Sequence, residues 1–210
     1  MIRIMRYGEI PDAEIFSRGE DKTDVQGIVS AIIADVRKRG DAALRDYADR
    51  FDGGAPDSLE VSEAEFEAAL AQVDPALLRA MEQAAENIRA FHSRQVRNGF
   101  VITEKNGVVL GQKVTPIEKV GLYVPGGTAA YPSSLLMNCV PAKLAGCGLL
   151  VIVTPPGKDG KVDPAILAAA KIAGVDRIYK IGGAQAVAAL AYGTESVPAA
   201  DKIVGPGNAY

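Results

Sequence analysis

The sequence runs to 210 residues with 48% hydrophobic residues and a formal net charge of −3, enough apolar material to bury a core in one large or two small domains and too much for a disordered chain. The charge is close to balance and no basic block occurs, so a nucleic-acid or anionic-membrane surface has no electrostatic support, and small molecules or proteins are the expected partners. No apolar run approaches the roughly 18 residues of a membrane span and residues 1–7 hold no apolar leader core, so the expectation is a soluble, cytoplasmic protein.

In chain order, residues 22–39 place Val25, Ile28, Val29, Ile32, Ile33 and Val36 at helical spacing, with Thr23 and Gln26 as a capping box and Gly40 as a stop. A shorter helix through Ala42, Leu44 and Tyr47 to Phe51 ends at Gly53-Gly54. Ser62 with Glu65 forms a second capping box, and Asp74-Pro75 opens a long helix on which Leu77, Leu78, Met81, Ile88 and Phe91 share a face. The period then changes. Residues 100–103 and 108–114 are β-rich runs around Lys105-Asn106-Gly107, and Asn-Gly is a strong hairpin signal. A boundary near residue 110 divides the chain into a mainly helical region with a hairpin, 1–110, and an α/β domain, 111–210.

From Val120 onward strands and helices alternate: strands at 120–124, 149–154, 177–181 and 202–204, helices at 133–146, 163–173 and 184–192. This βαβαβαβ order predicts a parallel sheet, and runs such as Leu149-Leu150-Val151-Ile152-Val153 predict helices on both of its faces. The fold class is therefore α/β, with an amino-terminal helical region and small hairpin followed by an incomplete Rossmann-like parallel sheet. It reads as incomplete because the strand at 202–204 enters a glycine turn at Gly205-Pro206-Gly207, and such turns open helices at the ligand edge. The expectation is the front part of a longer enzyme.

Three strands run into glycine turns: Val124-Pro125-Gly126-Gly127-Thr128, Ile181-Gly182-Gly183-Ala184-Gln185 and Val204-Gly205-Pro206-Gly207-Asn208. Paired glycines admit a ligand close to the backbone, and free N–H groups at the helix starts that follow suit an anion such as a dinucleotide pyrophosphate. A single turn of this kind is read as a tight connection, whereas three on one sheet edge point to a ligand. None of them matches G-x-G-x-x-G, so spacing alone does not specify a nucleotide. Tyr123 offers a ring to stack on, and Gln185 and Asn208 offer amides. Ser133 and Ser134 read as helix N-caps rather than ligands, and Gln185 could equally satisfy turn backbone groups. His92, the only histidine, has no catalytic partner in sight and reads as a surface or helix-packing residue. Cys139 and Cys147 lie eight apart in one helix, too far for a disulfide, and read as packing residues; zinc held by this chain alone is not expected.

The segments Val120-Gly121-Leu122-Tyr123-Val124-Pro125-Gly126-Gly127-Thr128, Gly182-Gly183-Ala184-Gln185-Ala186-Val187 and Lys202-Ile203-Val204-Gly205-Pro206-Gly207-Asn208, with Glu86-Asn87-Ile88 and Phe91-His92 upstream, resemble histidinol dehydrogenases over essentially the whole chain. The resemblance implies oxidation of L-histidinol through L-histidinal to L-histidine with two NAD in succession, in zinc-requiring homodimers of histidine biosynthesis. By motif match it implies NAD contacts at Tyr123, Gln185 and Asn208. It also implies that zinc ligands, the catalytic Glu-His pair and most substrate contacts belong to the part beyond Tyr210. No catalytic or metal residue is therefore assigned within the chain, and the chain alone is expected to make no NADH from histidinol even with zinc. The alternatives are a fragment of a paralogous dehydrogenase acting on another small alcohol, such as a sulfonated propanediol, and a non-catalytic module that binds nucleotide or pairs with a separate second half.

Overall fold

The computed structural model describes residues 4–16, 25–126 and 130–207. After a short helix α1 (Asp12–Ile15), the helices α2 (Gln26–Arg39) and α3 (Asp41–Phe51) are separated only by Gly40, whose N–H donates to the Val36 carbonyl and ends α2. Thr23 of the expected first capping box lies outside the described residues. The second box is formed: Ser62 Oγ accepts from Glu65 N at 3.3 Å and Glu65 Oε2 accepts from Ser62 N at 2.9 Å, starting α4 (Glu63–Leu70). Asp74 Oδ1 accepts from Ala76 N at 2.7 Å and Pro75 fills the first helical position of α5 (Pro75–His92), where a missing N–H costs nothing.

The hairpin consists of β1 (Phe100–Thr103) and β2 (Val109–Gln112), paired antiparallel. The main sheet has four parallel strands, β3 (Lys119–Tyr123), β4 (Leu149–Thr154), β5 (Arg177–Lys180) and β6 (Lys202–Val204), in the order β5-β4-β3-β6. The helices α6 (Pro132–Leu144) and α7 (Pro164–Ala173) connect β3 to β4 and β4 to β5, and α8 (Gly183–Tyr192) carries the chain back to β6 on the far side of β3. From β3 onward element boundaries fall within two residues of those read from the sequence, because the period changes sharply where Asp163-Pro164 and Gly182-Gly183 stand; upstream, α1 was not foreseen and α2 is described from Gln26 where residue 22 was expected.

Strand alternation sends neighbouring residues into two separate cores. Leu122, Leu150, Ile152 and Ile178 face a core built with α6 and α7, into which Met81 and Ala85 of α5 and Ala69 of α4 also pack. Val151, Val153, Tyr179 and Ile181 face the other, shared with Leu190 of α8 and with Val36 and Leu44 of α2 and α3. Continuous apolar strands are what a sheet covered on both faces requires. The amino-terminal helices supply part of the cover on each face. One contact was not foreseen: residues 59–61 run antiparallel along β5, with Val61 N donating to Ile178 O at 2.9 Å and Lys180 N to Leu59 O at 2.7 Å, so the edge of the sheet is closed by backbone pairing.

A polar latch fixes α3 to the loop after α8. The Asp41 carboxylate accepts from Thr194 Oγ1 at 2.6 Å, from Ser196 N at 3.3 Å and from Ser196 Oγ, while Asp41 N donates to Glu195 Oε2 at 2.7 Å. Burial pushes the Asp41 carboxyl up, but the hydrogen bonds from Ser196 and Thr194 outweigh it and hold the group below the ordinary carboxylate range. Asp41→Ala removes three acceptor contacts at once and is expected to cost about 2 kcal/mol, a fall of about 4–8 °C in Tm by differential scanning calorimetry; an unchanged Tm would show that the latch carries no weight. Cys139 in α6 is fully buried with its thiol pushed up to about 12 by burial, whereas Cys147 lies beyond the end of α6 at Leu144, not in the same helix as expected, and is half-buried; both are free and act as packing groups.

Candidate functional site

Counting strands from β3, the sheet order is third, second, first, fourth. Chain direction across the sheet therefore reverses between β3 and β6, and in doubly wound sheets the crevice for a ligand opens outside the carboxyl ends of the strands at such a reversal. Tyr123 is the last residue of β3 and Gly205 follows β6, so both stand at this point. The Tyr123 hydroxyl accepts from Gly183 N at 3.4 Å, which ties the end of β3 to the start of α8. Gln185, in the first turn of α8, is only 2% exposed and lines the crevice, and no described residue hydrogen-bonds its side-chain amide. Tyr123 and Gln185 are thus brought together on one edge; Asn208 lies outside the described residues.

The glycines are not equivalent. A Cβ on Gly126 would meet Pro155 Cγ at 2.5 Å, and one on Gly182 would meet Pro155 Cβ at 2.6 Å. At these two positions the space is filled by the proline of the β4 turn, which corrects the expectation that each paired glycine leaves room for a ligand. Gly205 has φ +142°, and its Cβ would lie 2.3 Å from the Tyr123 carbonyl oxygen, so glycine there permits β6 to close on β3 at the reversal. Gly207 stands open, since a Cβ there would have no neighbour within 4 Å.

The crevice has a volume of about 1760 Å³ and extends past the β4 turn at Thr154 and Pro155 to the Lys158 and Asp159 side. That is larger than the pockets of small ligands and gives an extended molecule room. Two charged features escaped the sequence reading: the partner of the wall residue Glu65, which lies behind the wall, and Asp52 in the wall itself. Lys180, 5% exposed at the end of β5, donates from Nζ to Glu65 Oε1 at 2.8 Å. Burial pushes the Glu65 carboxyl up, but the Lys180 ammonium and the Ser62 donors outweigh it and hold the group below the ordinary range. Asp52, which caps the end of α3, has a buried Oδ2 without a hydrogen-bond partner among the described residues, and its carboxyl is pushed up by burial. A lysine inside the apolar run Arg177-Ile178-Tyr179-Lys180-Ile181 was the available signal for the first; nothing in the sequence marks the second.

The remaining candidates lie elsewhere. Ser133 and Ser134 fall inside the first turn of α6, whose N-cap position is Tyr131 without a side-chain cap, so they are not the N-caps expected of them. His92 ends α5, its Nδ1 2.6 Å from Gln95 Oε1 and its ring edge-on to Phe91, away from the crevice. Among the described residues no group of three or more His, Cys, Asp or Glu could hold a metal ion, and no helix is long and apolar enough to cross a membrane.

Fold and site together define a doubly wound α/β domain with a crevice at its strand-order reversal, where such domains take their ligands. The sequence model of the histidinol dehydrogenase family matches residues 16–210. The histidinol dehydrogenase of Clostridium acetobutylicum is 48% identical over 100% of this chain and 50% of its own length. That of Methanosarcina mazei is 51% identical over 98% of this chain and 48% of its own. The crystal structure of histidinol dehydrogenase from Elizabethkingia anophelis superposes with a TM-score of 0.89 at 40% identity, covering 96% of this chain and 47% of that one. The chain belongs to the histidinol dehydrogenase family, and it spans about half the length of the curated relatives it matches.

Proposed function

We propose that this chain forms the NAD-holding part of a histidinol dehydrogenase, the oxidoreductase that converts L-histidinol through L-histidinal to L-histidine with two NAD in the cytoplasm. The observation that carries the reading is the meeting of Tyr123, Gln185 and the β6 turn at the strand-order reversal. The crevice suits a dinucleotide: it is roomy, a nearly buried amide on its wall has no hydrogen-bond partner among the described residues, and a Cβ at Gly207 would meet none of them within 4 Å. NAD, when bound, supplies the hydride acceptor for both oxidations. Tyr123, held by the Gly183 N–H, offers its ring for the ligand to stack on; Gln185 donates and accepts through its amide; Asn208 is assigned a second amide by its motif.

Zinc is a different matter. The described residues offer no ligand set for it, and its ligands and the proton-transfer groups are assigned to the half of the enzyme that this chain does not span, as is the histidinol site of a homodimer.

The test is NAD⁺ binding to the 210-residue chain by calorimetry. Gln185→Ala is expected to weaken binding about fivefold to tenfold, the loss of one or two hydrogen bonds, with Tm unchanged. The same chain is expected to produce no NADH from L-histidinol with added zinc. Equal affinity of the variant would remove Gln185 from the site, and turnover by the chain alone would contradict the assignment of the chemistry to the other half.

A further inference from the structure

The hairpin β1–β2 is exposed at every position of both strands. In its register Phe100 stands opposite Gln112 and Ile102 opposite Leu110, so Phe100, Ile102 and Leu110 share one face; Val101 opposite Gly111 and Thr103 opposite Val109 put Val101 and Val109 on the other. Exposures are 52%, 48% and 55% on the first face and 72% and 61% on the second. A two-stranded ribbon that faced water on one side would alternate apolar with polar residues; a ribbon apolar on both sides has the pattern of strands covered above and below. Such a pair is also marginal by itself, since isolated hairpins lack a face to bury.

We propose that this hairpin is an inner strand pair of a second sheet domain, covered on both faces by the polypeptide that forms the other half of the full-length relatives. A second copy of this chain meeting the hairpin across a two-fold axis would present the same patch to itself and cover one face, leaving the other in water. The solved relative superposes with 96% of this chain while 47% of its own length is used, so more than enough polypeptide is left to build layers on two sides. The inference rests on family membership and not on the NAD reading, and its readout is assembly rather than turnover.

The experiment co-expresses the 210-residue chain with the carboxy-terminal half of the Clostridium acetobutylicum relative. A 1:1 complex is expected, with amide hydrogen exchange across residues 100–112 slowed about tenfold or more relative to the chain alone. Val101→Lys on one face and Leu110→Lys on the other are each expected to weaken assembly about tenfold or more while leaving the Tm of the separate chain unchanged. As a second readout, the same substitutions in one fused polypeptide of the two pieces are expected to lower its Tm by about 5 °C or more. Unchanged exchange of the hairpin in the complex, two folded pieces that do not associate, a hairpin already protected in a dimer of the chain alone, or a fused chain indifferent to either lysine would overturn the proposal.

Discussion

Glu65→Ala is expected to lower the Tm by about 6–12 °C, a loss of about 3 kcal/mol. The effect has two sources. Lys180 is 5% exposed and its ammonium faces the Glu65 carboxylate at 2.8 Å, so the variant leaves a buried cation without its partner. Glu65 also closes the capping box of α4 through Ser62 N at 2.9 Å, and losing a cap costs about 1 kcal/mol more. The Glu65 side chain is itself 30% exposed, so solvent screening holds the ion-pair share to about 2 kcal/mol, below the range for fully buried pairs. Adding Lys180→Met should recover most of the loss, because the stranded charge goes with it. The pH dependence has a definite sign. Since the folded carboxyl lies below its ordinary value, its contribution is complete above about pH 4.3 and disappears as pH falls through the folded pKa. The difference between wild type and variant, followed by calorimetry, should be flat from neutrality down to that value and then shrink; a difference that grows in acid would contradict the pairing.

Gly205→Ala is expected to destabilise the fold by about 2–3 kcal/mol, or about 4–12 °C in Tm, and to weaken NAD⁺ binding about tenfold. Its φ of +142° is outside what an L side chain adopts readily, and the added methyl would stand 2.3 Å from the Tyr123 carbonyl oxygen, a backbone atom that moves only with β3. Any relief therefore displaces Tyr123, the residue that joins β3 to the start of α8. Gly207→Ala is the control: its Cβ would have nothing within 4 Å and should leave Tm unchanged. Equal Tm for both variants would show that β6 does not close on β3 as described.

The strands were legible because burial on both faces writes itself into the sequence: Leu149-Leu150-Val151-Ile152-Val153 has no polar interruption, and its odd and even members enter different cores. Ser62 with Glu65 and Asp74 with Pro75 mark helix starts by chemistry that acts within three residues. Contacts between distant segments left no such mark. Residues 59–61 pair with β5 over three residues, too short for a period to show, and the Glu65–Lys180 pair joins positions 115 apart. The glycine turns were visible, but only the structure shows that Pro155 fills the space beside Gly126 and Gly182 while Gly205 is shaped by Tyr123. Tyr123 and Gln185 were singled out by residue type and by family motif; their meeting depends on strand order, which alternation of elements alone does not state.

The most direct measurement is an NAD⁺ titration of the isotope-labelled 210-residue chain, up to about 5 mM, followed by backbone amide chemical shifts. Saturable shifts confined to residues 123–126, 182–185 and 205–207 are the result expected of a dinucleotide held at the reversal between β3 and β6. Shifts absent throughout, or gathered on another surface such as α5 or the hairpin, would contradict it.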